Sequence, residues 1–179
     1  SQVVQAVPTG INSALVFITS GTITTLATAQ INNVFSSTYD NYLMLINYTA
    51  GDAGAQYLQL GTSGSPDAGS NYSWALNQNN FYSGSGATVL TGSTGTTKWT
   101  YTGKVAAGGG NVAINFFSPN LAAKSSFSDL GTCFNANPEQ SNWWGGGSLN
   151  TSTQYTDITI TTVSSTTSFT YKIYGYSNS

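Results

Sequence analysis

The sequence predicts an all-β protein: a single β-sandwich of jelly-roll-like form, with about ten strands. Three observations predict it. Short apolar or alternating segments recur along the chain, each bounded by Gly, Ser, Asn or Pro. No stretch of convincing length carries the apolar spacing of an amphipathic helix. The polar residues are mostly Thr, a strand former, and Ser, Asn and Gly, which favour turns. Only 6% of residues are charged and 13% are aromatic, with a net charge of -2. Disorder would require the reverse, high charge and few aromatics.

The 179 residues suit one domain. Residues 1–12 read as an extended arm punctuated by Pro8 and Gly10, and residues 13–179 as the sandwich. The apolar arm residues Val3, Val4 and Val7 are candidates to pack on a neighbouring subunit. Ser13–Thr19, Gly21–Leu26 and Ala29–Phe35 read as the first strands, and Ser36–Asn41 as a polar turn. Tyr42–Thr49 is apolar on both faces, which places it centrally in a sheet. A turn at 51–54 leads back into Ala55–Gly61. Residues 61–71 form a loop, and Tyr72–Asn77 reads as an edge strand. Residues 83–96 are rich in Gly, Ser and Thr around a short strand at Ala87–Thr91. In Thr97–Lys104 the alternation puts Trp99 and Tyr101 on one face, and in Val112–Phe117 it does the same for Val112, Ile114 and Phe116. Pro119 ends that strand. Residues 120–150 are less regular, with a strand around Cys133–Phe134 and a loop at 141–150 that enters a strand. Tyr155–Val163 and Ser168–Gly175 alternate clearly. No internal repeat of fixed period occurs, which argues against a propeller or β-helix.

Composition also excludes chemistry. With no His and no Arg, the chain lacks the commonest general base, the commonest zinc ligand and the usual phosphate fork. The four Lys are scattered, so no nucleic-acid partner is expected. No apolar run approaches the ~20 residues of a membrane-spanning helix, and no membrane partner is expected. Cys133 is the sole cysteine. Its expected role is a small buried apolar group. Of the six acids, Asp40, Asp52, Asp67, Asp129 and Glu139 fall in apparent turns, and Asp157 reads as a solvent-facing charge on a strand. No pair is marked as catalytic, and no metal ligand set or cofactor motif is present. GGGN at 108–111 and WWGGGS at 143–148 are followed by neither Lys-Ser/Thr nor a helix, so they read as flexible turns and not as phosphate loops. The expectation is a non-enzymatic protein without cofactor.

The aromatic residues are the more suggestive signal. Trp143 and Trp144 are adjacent, and in a strand they would face opposite ways. Both are candidate interface residues. So is Tyr174, where Tyr174-Gly175 would let the backbone pass close to a neighbour.

Two segments carry a resemblance. NNVFSSTYDNYLMLIN (32–47) has the pattern F-S-S-x-Y-D-N-Y before an apolar strand, and SFTYKIYGYSNS (168–179) has F-x-x-K-[IL]-Y-G. Between them, LQLGTSGSPDAGSNYSW runs from an apolar strand through a Gly/Ser loop to S-N-Y. In this order the chain resembles structural β-sandwich proteins of tailed bacteriophages, of the capsid-decoration and fibre-domain type, over roughly residues 15–179. The resemblance implies a virion protein. The expected role is a capsid decoration or cement protein on the outer capsid surface, bound to the major capsid protein or another virion protein, with a homotrimer favoured. The alternative is a tail or fibre component that recognises the host surface, with glycan as a possible ligand. The family is structural, so no catalytic residue carries over. In the first motif, Phe35 is expected to close into the core, Asp40 and Asn41 to form the turn, and Tyr39 or Tyr42 to cover it.

Overall fold

A computed structural model describes residues 14–50, 54–82, 85–105, 108–134, 140–163 and 167–178. The arm residues Val3, Val4 and Val7 lie outside these, as do Asp52 and Glu139. The described residues are all-β and form thirteen strands without a helix. They are β1 (Leu15–Ile23), β2 (Thr28–Ile31), β3 (Asn41–Ala50), β4 (Gly54–Thr62), β5 (Ser65–Pro66), β6 (Tyr72–Tyr82), β7 (Ser85–Thr96), β8 (Trp99–Val105), β9 (Gly110–Phe117), β10 (Ser125–Phe134), β11 (Gln140–Leu149), β12 (Asp157–Thr162) and β13 (Ser168–Tyr176).

Two antiparallel sheets make the sandwich. The larger has eight strands in the order β1-β13-β3-β9-β10-β11-β6-β7. The smaller has five, β2-β12-β4-β5 with β8 also paired to β4. Eight of the thirteen strands form the orders β1-β13-β3-β9 and β2-β12-β4-β8, in which the chain passes repeatedly between the sheets in the jelly-roll manner. The remaining large-sheet strands, β10, β11, β6 and β7, extend that sheet past β9.

One core lies between the sheets. β3 contributes Tyr42, Met44, Ile46 and Tyr48, β9 contributes Val112, Ile114 and Phe116, and β8 contributes Trp99 and Tyr101. The smaller sheet, to which β8 belongs, also contributes Leu58, Leu60, Ile158 and Ile160. Period-two alternation puts these on inward faces, as the sequence predicts for β8 and β9. The Trp99 ring packs between Tyr72 and Phe127 of the opposite sheet, and its indole N–H donates to the Ser148 carbonyl at 3.0 Å.

The described residues have thirteen strands where about ten are expected, one of them (β5, Ser65–Pro66) inside the expected loop at 61–71, and two regions differ in form. Residues 120–150 hold a ten-residue hairpin partner pair, β10 and β11, where irregular chain is expected. WWGGGS is the middle of β11 and not a turn. A Cβ at Gly147 would meet the Ser73 carbonyl, with Phe127 Cε1 at 2.8 Å and Trp99 Cδ1 at 2.9 Å. Gly147 thus makes room for rings from two other strands, while Gly145 and Gly146 lie close against neighbouring backbone. The second region is β6 and β7, each much longer than the expected Tyr72–Asn77 and Ala87–Thr91. β6 lies inside the sheet, between β11 and β7, so β7 is the edge.

The two motifs of the resemblance meet in space. Phe35 is buried, edge-on to Tyr42 and Phe116. Tyr42 is also buried, and its hydroxyl bonds the backbone N–H and carbonyl of Ser36, both at 2.7 Å. The Tyr39 ring lies over Gly175, where any Cβ would collide with it. Asn178 accepts from the Asp40 N–H and donates to the Thr38 carbonyl. The neighbour that Gly175 passes closely is therefore a ring of its own chain. Both segments have a structural reason for their form: together they close one end of the sandwich.

Candidate interaction surface

The large sheet has an inner face on the core and an outer face that no described element covers. Strand register lays the outer side chains out in rows. One row crosses all eight strands as Ser20, Lys172, Leu45, Ala113, Leu130, Trp144, Asn77 and Leu90. Leu130 is 64% exposed, Trp144 45% and Leu90 77%. The adjacent row is Thr22, Thr170, Asn47, Asn111, Thr132, Asn142, Asn79 and Thr88. All eight are Thr or Asn. Some bond along the row: Thr132 donates to Asn142 Oδ1 at 2.9 Å, and Thr88 to Asn79 Oδ1 at 2.7 Å. Lys172 is the single ionisable group in these two rows.

A shallow depression sits where the rows meet, lined by Leu45, Asn47, Asn111, Leu130, Thr132 and Phe134 among others. Apolar side chains beside unionised hydrogen-bonding groups, with one cation at the margin, suit a macromolecular surface better than proton or metal chemistry. A second concavity lies where the sandwich gapes. The smaller sheet stops short of β7, leaving a cleft lined by Tyr57, Trp74, Val89, Thr91, Lys98 and Thr100. There the Lys98 ammonium stands 3.9 Å from the centroid of the Tyr57 ring.

Of the candidate interface residues, Trp144 lies on the outer face and Trp143 does not. Trp143 is 0% exposed and stacks inward against Gly131, so it is a core residue. The opposite facing of the pair follows from the strand, but the sequence carries no sign of which ring turns in. Tyr174 is half-buried on the outer face, edge-on to Phe17 at a ring-centroid distance of 5.8 Å.

The acids do not behave as turn residues throughout. Asp129 is in the middle of β10 and faces inward. Burial pushes its carboxyl up to about 7, and the Trp143 indole and the backbone N–H groups of Asp129 and Gly145 pull back only partly. These donors lie nearby without closing hydrogen bonds of normal geometry, and both carboxylate oxygens and the Trp143 N–H are buried and unpartnered. Beside it, the Tyr48 and Tyr101 hydroxyls bond each other, and burial raises both well above the ordinary phenol range.

Asp157 is buried, not solvent-facing. Burial alone would raise its carboxyl. The Asn33 N–H at 2.9 Å, the Gly64 N–H at 2.6 Å and the Thr156 hydroxyl at 2.8 Å outweigh that and hold it below the ordinary range. It ties two loops to β12. Asp67 accepts from the Gly69 N–H at 2.8 Å and from the Tyr155 hydroxyl, a role in keeping with the expected turn. Among the described residues, no three of the acids and Cys133 gather as a cation would require. Comparison with models of known protein families and with curated proteins finds no match to this chain.

Proposed function

We propose that this chain is a structural protein of a bacteriophage virion, and that it acts as a capsid decoration or cement protein. The observation that carries the reading is the outer face of the large sheet: an apolar row and a Thr/Asn row side by side, with Lys172 as their single charge. Such a face gains by burial against another protein, because removing it from water strips almost no ion of its hydration. The two motifs that resemble phage proteins supply the setting. The partner is the major capsid protein or another virion protein, and the location is the outer capsid surface.

The second reading, a tail or fibre component that contacts host glycans, is favoured by the gaping cleft. Trp74, Tyr57 and Lys98 stand there beside several Thr, a combination that can stack on and hydrogen-bond a sugar.

The test is to replace Trp144 and Leu130 together by Ala and measure binding to purified particles lacking the protein. Both side chains are largely outside the core, so the melting temperature should hold while binding falls. Undiminished binding would count against the outer face as the contact. Copy number by mass spectrometry separates the two readings: hundreds per particle for decoration, a few to a few dozen for a tail part. Glycan-array binding by the isolated protein would favour the second.

A further inference from the structure

The edge strand β7 carries an observation of its own, independent of the virion reading. Edge strands present unpaired N–H and C=O groups and are normally guarded by charge, proline, bulges or shortness. β7 has none of these over its main length. It runs for twelve residues without a charge or a proline. Its pairing with β6 is regular from Ser85 to Ser93, and the register shift comes only beyond, opposite Tyr72 and Trp74. Val89 is 46% exposed and Leu90 77%. The opposite edge, β1, is kinked by an irregularity between Phe17 and Thr19.

The regular stretch also reads nearly the same in both directions. Ser85-Gly86-Ala87-Thr88-Val89-Leu90-Thr91-Gly92-Ser93 has Ser at both ends, Gly next inside and Val89 at the centre. An antiparallel strand laid against a copy of itself sets residue i opposite residue j with i and j summing to a constant. Keeping both outer faces on one side requires an even sum, since side chains alternate. Centring on Val89 meets that condition and overlaps the whole stretch. Ser85 then faces Ser93 of the second copy, Gly86 faces Gly92, Ala87 faces Thr91 and Val89 faces Val89. These pairs are small or β-branched throughout. The larger Leu90 meets only Thr88, on the open outer face.

We infer that β7 is a self-complementary edge, and that two copies of this chain join there about a two-fold axis at Val89 into one continuous sheet. The occupant is a second copy and not a foreign strand because the near-palindrome serves only self-pairing, and because an edge without charge gives no handle to a partner of opposite charge. Val89 also lines the gaping cleft, so joining would run the two clefts together. The arrangement is two-fold, in contrast to the trimer that the phage resemblance implies.

The test uses the full chain in solution, with mass read by sedimentation. The wild type should be a dimer. Val89→Lys sets two ammonium groups directly opposite and should raise the dissociation constant about tenfold or more. Val89→Glu should do the same. Mixing the two variants should restore a one-to-one dimer, which a misfolded variant could not form, and circular dichroism should show both still folded. A wild type that stays monomeric at high concentration, a trimer, or a dimer indifferent to both substitutions would overturn the inference.

Discussion

At the scale of single residues, Asp129 is the group with the most to reveal. Its carboxyl is buried without a closed hydrogen bond, and its folded-state value of about 7 stands above the ordinary 3.8. A carboxyl raised on folding binds its proton more tightly in the native state. Its contribution is therefore whole below pH 4 and is lost as pH rises from about 4 to about 7. A rise of that size is equivalent to about 4 kcal/mol at most. Asp129→Asn should remove this slope and raise stability at pH 8 by about 2–4 kcal/mol, with little effect at pH 4. Urea midpoints at the two pH values would check it. Tyr48 and Tyr101 stay neutral throughout this window, since both are raised, so they do not blur the result. Asp157 shows the opposite arrangement, three donors around one buried carboxylate. Neither role is legible in the sequence. S-D-L-G reads like a turn, and a lone Asp at a strand start reads like a surface charge. What decides both is which long-range neighbours fold over them.

At the scale of elements, much of the strand layout is legible: β8, β9, β12 and β13 fall where alternation puts them, and β3, read as apolar on both faces, lies inside the large sheet as expected. The β10–β11 hairpin is not, for a definite reason. The inward residues of β10 are Ser125, Phe127, Asp129, Gly131 and Cys133, and those of β11 are Ser141, Trp143, Gly145, Gly147 and Leu149. Six of these ten are Ser, Gly or Asp, so period-two hydrophobicity vanishes. The space they leave is filled by neighbouring strands: Trp99 of β8 and Phe127 over Gly147, and Trp143 over Gly131. Gly147→Ala tests this directly. The new methyl would press on the Ser73 backbone, which cannot swing aside, and on two packed rings. A loss of roughly 1–3 kcal/mol is expected by thermal or urea unfolding, the usual range for overpacking.

At the scale of the whole molecule, the low charge that the sequence shows has a place in the fold. It leaves one broad sheet face dressed in Leu, Trp, Thr and Asn. On the proposed decoration role, adhesion through such a face depends little on ion pairing, so particle binding should change by less than about threefold between roughly 0.05 and 0.5 M NaCl, where screening would dismantle a charge-based contact. Titration of the isolated protein onto stripped particles at the two salt concentrations would check this. The face itself could not be read from sequence, because row composition depends on register, and register joins residues as distant in the chain as Thr22 and Thr170. Register also brings Leu15 opposite Tyr176, and the Ser177 N–H donates to the Ala14 carbonyl at 3.1 Å. The two ends of the sandwich thus leave from one corner on neighbouring antiparallel strands. Tension applied through them would peel β1 from β13 one rung at a time, as a zip opens, and would not load all the rungs at once. The fold should therefore yield at low force when pulled by its ends, while resisting forces spread across its broad face.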